Sequence, residues 1–200
     1  MNDAIVELRD LLARQSIRHG EFTLVSGAKS TYYCDTKATT LSPRGSLLAG
    51  QILRPILTGH GVEAVGGLAM GSVFITTSVT VVSALAGTPI YGYAVRQREK
   101  DHGLRRSVEE SFHPDGGPLL RAGRRVAVVE DVVTKGGSIQ KAIQEVTQRG
   151  CEIALVVALV DRRAGGGETL RGMGLPYFAL FDLDERGELH VNPLPARARA

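Results

Sequence analysis

The 200-residue chain predicts an α/β domain with a largely parallel central sheet flanked by helices. Three observations carry that expectation. Apolar runs of strand length recur at 62–66, 89–95, 126–129, 153–160 and 177–181. Segments with helical spacing or helix-start signals lie between most of them, and such alternation favours parallel strands between helical layers. The 24 glycines gather in pairs at segment ends, where tight turns and close backbone approach use them.

Each element has its own signal. Ile5, Leu8, Leu11 and Leu12 recur at helical spacing behind Asp3, a start signal. Residues 22–40 mix β-branched and aromatic side chains around Gly27 and predict a hairpin or a pair of short strands. Ser42-Pro43 supplies a cap and a first-turn proline for a helix running towards Leu57. The strand at 62–66 ends in Gly66-Gly67, a pair that predicts a tight turn. Residues 71–85 predict a helix, with strand propensity competing in their threonines and valines. After the strand at 89–95, residues 96–118 are polar, charged and without periodicity, and predict a long mobile loop that acts as a lid. The strand at 126–129 feeds a helix at 138–149. A short strand at 189–191 precedes a loose tail at 193–200. The whole span, 1–200, reads as one domain, with its sites at the carboxyl ends of the strands.

Composition narrows the function classes. A net charge of +3 and a pI near 9.0 suit an anionic small molecule as well as nucleic acid. Tryptophan is absent and aromatics are 5%, which argues against a base-stacking platform. Lysine occurs five times, at 29, 37, 100, 135 and 141, so a lysine in a loop stands out. Cys34 and Cys151 lack metal-ligand spacing and read as free thiols in a reducing compartment. Asp3, Glu7 and Asp10 argue against a signal peptide at the N-terminus, and the longest apolar run, 153–160, is too short to cross a bilayer. A cytoplasmic protein is the expectation, with no membrane and no nucleic-acid partner.

The run at 126–138 carries the chemistry. An apolar strand meets two acids, Glu130 and Asp131, then Thr134-Lys135-Gly136-Gly137-Ser138, then a helix. Carboxylates can face sugar hydroxyls while loop amides and the helix N-terminus face a phosphate. Neighbouring strand residues point to opposite sides, so the two acids need not share one job. Neither the dinucleotide fingerprint nor the Walker pattern fits the loop. The run indicates a phosphosugar and names no acceptor.

Val-Val-Glu-Asp-Val-Val-Thr-Lys-Gly-Gly-Ser at 128–138 resembles the 5-phosphoribosyl-1-diphosphate (PRPP) motif of the type I phosphoribosyltransferases. The resemblance implies that family's fold. It also implies that Glu130 and Asp131 contact the ribose hydroxyls while Val133, Thr134, Lys135, Gly136, Gly137 and Ser138 cradle the 5′-phosphate. Two further segments are similar to the orotate phosphoribosyltransferases within this group. Residues 93–103 resemble their mobile loop, above all in Lys-Asp-His-Gly at 100–103, and residues 20–35 resemble their N-terminal substrate hood. Order and separation match as well, over 17–166. On this resemblance 1–45 form an N-terminal helix and hood, the C-terminal segment is a candidate second part of the hood, and 96–118 form the lid.

The family's residues carry over one by one. Arg96 resembles a pyrophosphate-binding arginine, and Lys100 and His102 belong to the lid that closes over the leaving group. Lys29, Tyr32 and Tyr33 fall in the base region with Thr134. Arg162 is similar to the arginine that engages orotate, with neighbouring Arg163 as its competitor. Residues 66–71 resemble the loop beside the pyrophosphate. The implied reaction moves phosphoribose from PRPP to orotate, with Lys100, His102 and Asp131 as the catalytic set and Mg2+ held mainly by PRPP. A lid that completes the neighbouring subunit's site implies a homodimer. A phosphoribosyltransferase for another base and a non-catalytic PRPP-binding regulator are the alternatives. The chain departs from some members at Val25, Met70 and Gln97, where lysines are common. Each departure removes a cation from the expected diphosphate site.

Overall fold

The computed structural model describes residues 2–23, 27, 29–97 and 107–195. Helix α1 (Asn2–Gln15) turns Ile5, Leu8 and Leu12 into the core, as their spacing predicts. An antiparallel hairpin follows, β1 (Ile17–Thr23) against β2 (Lys29–Cys34). It starts and ends earlier than the 22–40 reading, and its last residues fold instead as a short helix, α2 (Lys37–Thr40). Buried hydroxyls explain the difference. Ser16 Oγ and Thr39 Oγ1 lie 2.7 Å apart, and Thr39 and Thr40 are buried, so these threonines fill a joint rather than a strand face. Helix α3 (Pro43–Gly59) begins as expected, with the Ser42 hydroxyl accepting the Gly45 N–H at 3.1 Å.

The central sheet takes β3 (Ala64–Leu68), β4 (Tyr91–Val95), β5 (Val108–Glu110), β6 (Arg125–Val133), β7 (Glu152–Asp161), β8 (Tyr177–Leu183) and β9 (Leu189–Val191). Its order is β5-β4-β3-β6-β7-β8-β9. The pairings from β4 to β8 are parallel, and the edge strands β5 and β9 are antiparallel. One face packs on α1, α3 and α4 (Gly71–Leu85) through Leu8, Leu12, Ile52, Leu53, Ile56, Ile75 and Val79. The other packs on α5 (Gly137–Gln148) and α6 (Gly166–Gly172) through Ile139, Ala142, Val146 and Leu170. Strand alternation divides β6 between them: Ala127 and Val129 enter the first core, Val126 and Val128 the second. Among the described residues no helix is long and apolar enough to cross a membrane.

Four expectations change. Gly66-Gly67 is not a turn but the interior of β3, because the backbones approach too closely for side chains: a Cβ on Gly67 would lie 2.0 Å from the Val129 carbonyl oxygen. Strand β6 does not stop at Val129; it continues through both acids to Val133, since Val132 and Val133 pair with Val160 and Asp161 of β7. Within 96–118, buried Val108 pairs with Val95 and makes β5, while Phe112 bridges Pro118. The expected lid residues 98–106, including Lys100 and His102, lie outside the described residues. Helix α6 has no counterpart in the sequence reading, because glycines at 165–167 masked a helix that Leu170 anchors.

Candidate active site

The phosphate-loop candidate joins the carboxyl end of β6 to α5. Gly136 precedes the helix at φ 84°, and no side chain caps the first turn. The amides of that turn are therefore placed to meet a ligand. The loop is braced from below, where the Gly166 N–H donates to the Thr134 carbonyl at 2.8 Å. The Arg162 N–H donates to the Val133 carbonyl at 2.9 Å, which registers the end of β7 against the start of the loop. A small hollow is lined by Glu130, Val133, Thr134, Gly136, Gly137 and Ser138. Lys135 and Ser138 stand exposed at its rim.

The two acids have different neighbours, although their carboxyls lie close enough to interact. Glu130 is buried on the α5 side, and its Oε2 has no hydrogen-bond partner. Burial and the neighbouring Asp131 push its carboxyl from an ordinary value near 4.5 up to about 9, so it holds a proton at neutral pH. Asp131 points to the α4 side. Its carboxylate rests on the Cα of Gly71, where a Cβ would come within 2.3 to 2.4 Å of it. The Thr36 hydroxyl donates to Asp131 Oδ2 at 2.9 Å. Sequence reasoning missed both Thr36 and Gly71. Gly71 reads as a helix start and as the end of a pyrophosphate-side loop, not as the seat of Asp131, and Thr36 falls inside what reads as a strand.

The hood hairpin meets the sheet at Arg162. Tyr32 is buried, with Arg162 Nε donating to its hydroxyl at 3.3 Å and the guanidinium carbon 4.9 Å from the ring centre. Arg163 leaves in another direction: it has φ 52° and forms a forked pair with Asp182. Arg162, and not Arg163, is therefore the arginine that meets Tyr32. Alternation along β2 leaves Tyr33 exposed, its ring 5.8 Å from that of Phe22, and Lys29 exposed at the start of the strand. Neither joins the Arg162 contact. The turn between β8 and β9 packs beneath the hairpin, since a Cβ on Gly187 would lie 3.0 Å from Tyr32 and His19. A cleft of about 400 Å3 opens here between Arg162, Arg163, Leu183, Asp184, Glu185 and Arg186.

The cations at the diphosphate end are partly engaged. Arg96 is ion-paired with Glu109 across β4 and β5, and its N–H donates to the Ser107 carbonyl at 2.8 Å, closing the stem of the expected lid. Met70 is exposed just before α4, and the Gln97 carbonyl accepts from Lys141. Cys34 and Cys151 are both free, and burial pushes the Cys34 thiol up to about 11. Among the described residues, Asp184, Glu188 and His190 form a possible metal-ligand group, but on the β8–β9 turn. With its imidazole that group suits a transition metal better than Mg2+, whereas the carboxylate oxygens of Asp131 suit Mg2+.

Comparison with known proteins agrees with this geometry. The family described as "Phosphoribosyl transferase domain" matches residues 64–171. The orotate phosphoribosyltransferase of Rhodopseudomonas palustris (strain TIE-1) is 40% identical over 178 residues, 89% of this chain and 93% of that protein. The Mycobacterium tuberculosis orotate phosphoribosyltransferase, solved with Fe(III) dicitrate, superposes with a TM-score of 0.76 at 34% identity, covering 90% of this chain and 97% of that one. The same enzyme solved with PRPP superposes with a TM-score of 0.70 at 29% identity, covering 90% of each chain.

Proposed function

The chain belongs to the orotate phosphoribosyltransferase family, and on that premise we propose that it transfers the 5-phosphoribosyl group of PRPP to orotate. The products are orotidine 5′-monophosphate and pyrophosphate, on the route to UMP. One observation carries the assignment to this site. The acid pair, an uncapped helix N-terminus and the Arg162–Tyr32 contact stand together at the carboxyl ends of adjacent strands β6 and β7.

The amides of 134–138 take the 5′-phosphate, helped by the field of α5. Asp131, fixed by Thr36, accepts a ribose hydroxyl, and its carboxylate favours positive character developing at C1. Glu130, protonated at neutral pH, can donate as well as accept there. The bond from C1 to the diphosphate oxygen breaks with its electron pair leaving on the diphosphate, and orotate N1 forms the new bond to C1 as its N1 proton passes to the departing diphosphate. No covalent enzyme intermediate is involved. Arg162 faces the planar, anionic acceptor with a guanidinium fork, beside Tyr32 and Thr134. Tyr33 and Lys29 sit on the exposed side of the same hairpin and contribute once the hood closes.

Arg96, Lys100 and His102 neutralise the departing diphosphate, with Arg96 exchanging its Glu109 partner for the ligand. Mg2+ held mainly by PRPP would make the diphosphate a better leaving group. The enzyme acts in the cytoplasm as a homodimer in which each lid serves the partner's site. The test is depletion of orotate, followed by absorbance with PRPP and Mg2+, against adenine, hypoxanthine and uracil. Turnover of orotate alone is expected. Turnover of another base without orotate would replace the acceptor, and PRPP binding with no turnover would indicate a regulator.

A further inference from the structure

We propose that Thr36 is a positioning residue for this reaction, its buried hydroxyl holding Asp131 in the orientation that meets the sugar and tying the hood to the sugar site. The proposal rests on the reading of Asp131 as the ribose-facing acid. Thr36 is fully buried and stands immediately before α2, where a threonine ordinarily caps the helix with its own side chain. Here it does not. Its backbone is already helical, at φ −63° and ψ −19°, and its hydroxyl instead reaches a residue 95 positions away, donating to Asp131 Oδ2 at 2.9 Å. Asp35 takes over the local work: its Oδ1 accepts the Lys37 N–H at 3.1 Å and meets Lys37 Nζ at 2.6 Å.

The segment that carries Thr36 is itself fixed. The Asp35 N–H donates to the Ser16 carbonyl at 2.8 Å, and Ser16 and Thr39 share a buried hydroxyl contact. Asp131 is thus held from two sides, by the Gly71 backbone below and the Thr36 hydroxyl across. Only three residues separate Tyr32, which meets Arg162, from Thr36, which meets Asp131. Movement of the hood at the acceptor end therefore acts directly on the acid at the sugar end.

Loss of a hydrogen bond to a charged group predicts a fall of about 10- to 100-fold in kcat/KM for PRPP in Thr36→Val. The KM for orotate should change less than about twofold, and Thr36→Ser should restore most of the activity. Asp131→Asn is assayed in parallel, and thermal melting establishes that each variant is folded. Thr36→Ala replaces Thr36→Val should the latter fail to fold. Wild-type kcat/KM in Thr36→Val, with Asp131→Asn impaired, would overturn the positioning role alone. So would equal damage in Thr36→Ser and Thr36→Val. Full activity in Asp131→Asn would instead remove the reading of the acid itself, and the proposal with it.

Discussion

Adjacent carboxyls on β6 do different things because a strand sends neighbours to opposite faces. Glu130 is shut into the α5 side, where burial and Asp131 keep it protonated up to about pH 9. An unfolded chain releases that proton near its ordinary value of 4.5. Between these values the folded protein binds a proton the unfolded chain has lost, so this residue lowers stability progressively as pH rises. The melting temperature of Glu130→Gln, relative to wild type, should therefore climb from about pH 5 to pH 8. A difference that stays flat with pH would show that Glu130 is ionised in the fold. Arg162 gives a prediction of another kind. Its Nε–H meets the Tyr32 hydroxyl, and the family resemblance directs the guanidinium to orotate. Arg162→Ala should lower kcat/KM for orotate by about 10- to 100-fold through its KM, while the KM for PRPP stays within about twofold. Equal losses for both substrates, measured by initial rates, would place the arginine elsewhere in the reaction.

At the scale of elements, the site depends on helices brought close to β6 by glycines. Gly71→Ala puts a Cβ against the Asp131 carboxylate, the movable end of a side chain. The fold should tolerate this at a cost of about 1 kcal/mol or less, whereas kcat/KM for PRPP should fall at least about tenfold because Asp131 is displaced. Gly166→Ala differs, since its Cβ would come 2.5 Å from the Thr134 backbone oxygen. That collision cannot be relieved by a rotamer, so melting should register a loss of about 1 to 3 kcal/mol. The same contrast shows what the sequence could reveal. Periodicity and capping located α1, α3 and most strands, and the Glu-Asp-to-Gly-Gly-Ser run located the loop, because those signals are local. Thr36, the Gly71 seat and the buried Gly66-Gly67 pair were hidden because their reasons lie across the fold. The end of β6 was misjudged for a related cause: acids look like the end of a strand until pairing with β7 carries them onward.

At the scale of the molecule, the parallel sheet places the acid pair, the loop before α5 and Arg162 along the carboxyl ends of β6 and β7, and on the proposed reading the diphosphate falls to Arg96 and the lid. With Val25, Met70 and Gln97 where lysines are common, on the proposed reading Lys100 carries much of the remaining charge. If each lid serves its partner's site, Lys100→Ala and Arg162→Ala protomers complement one another. Random pairing at equal amounts then restores about a quarter of the wild-type sites. No recovery in verified hybrid dimers would place each lid over its own site. The most direct measurement of the central claim is product analysis with PRPP, orotate and Mg2+, following orotidine 5′-monophosphate and pyrophosphate by phosphorus NMR. The wild-type protein should form the two in equal amounts and Asp131→Asn should form them far more slowly. Absence of orotidine 5′-monophosphate, or equal rates from the two proteins, would contradict the account.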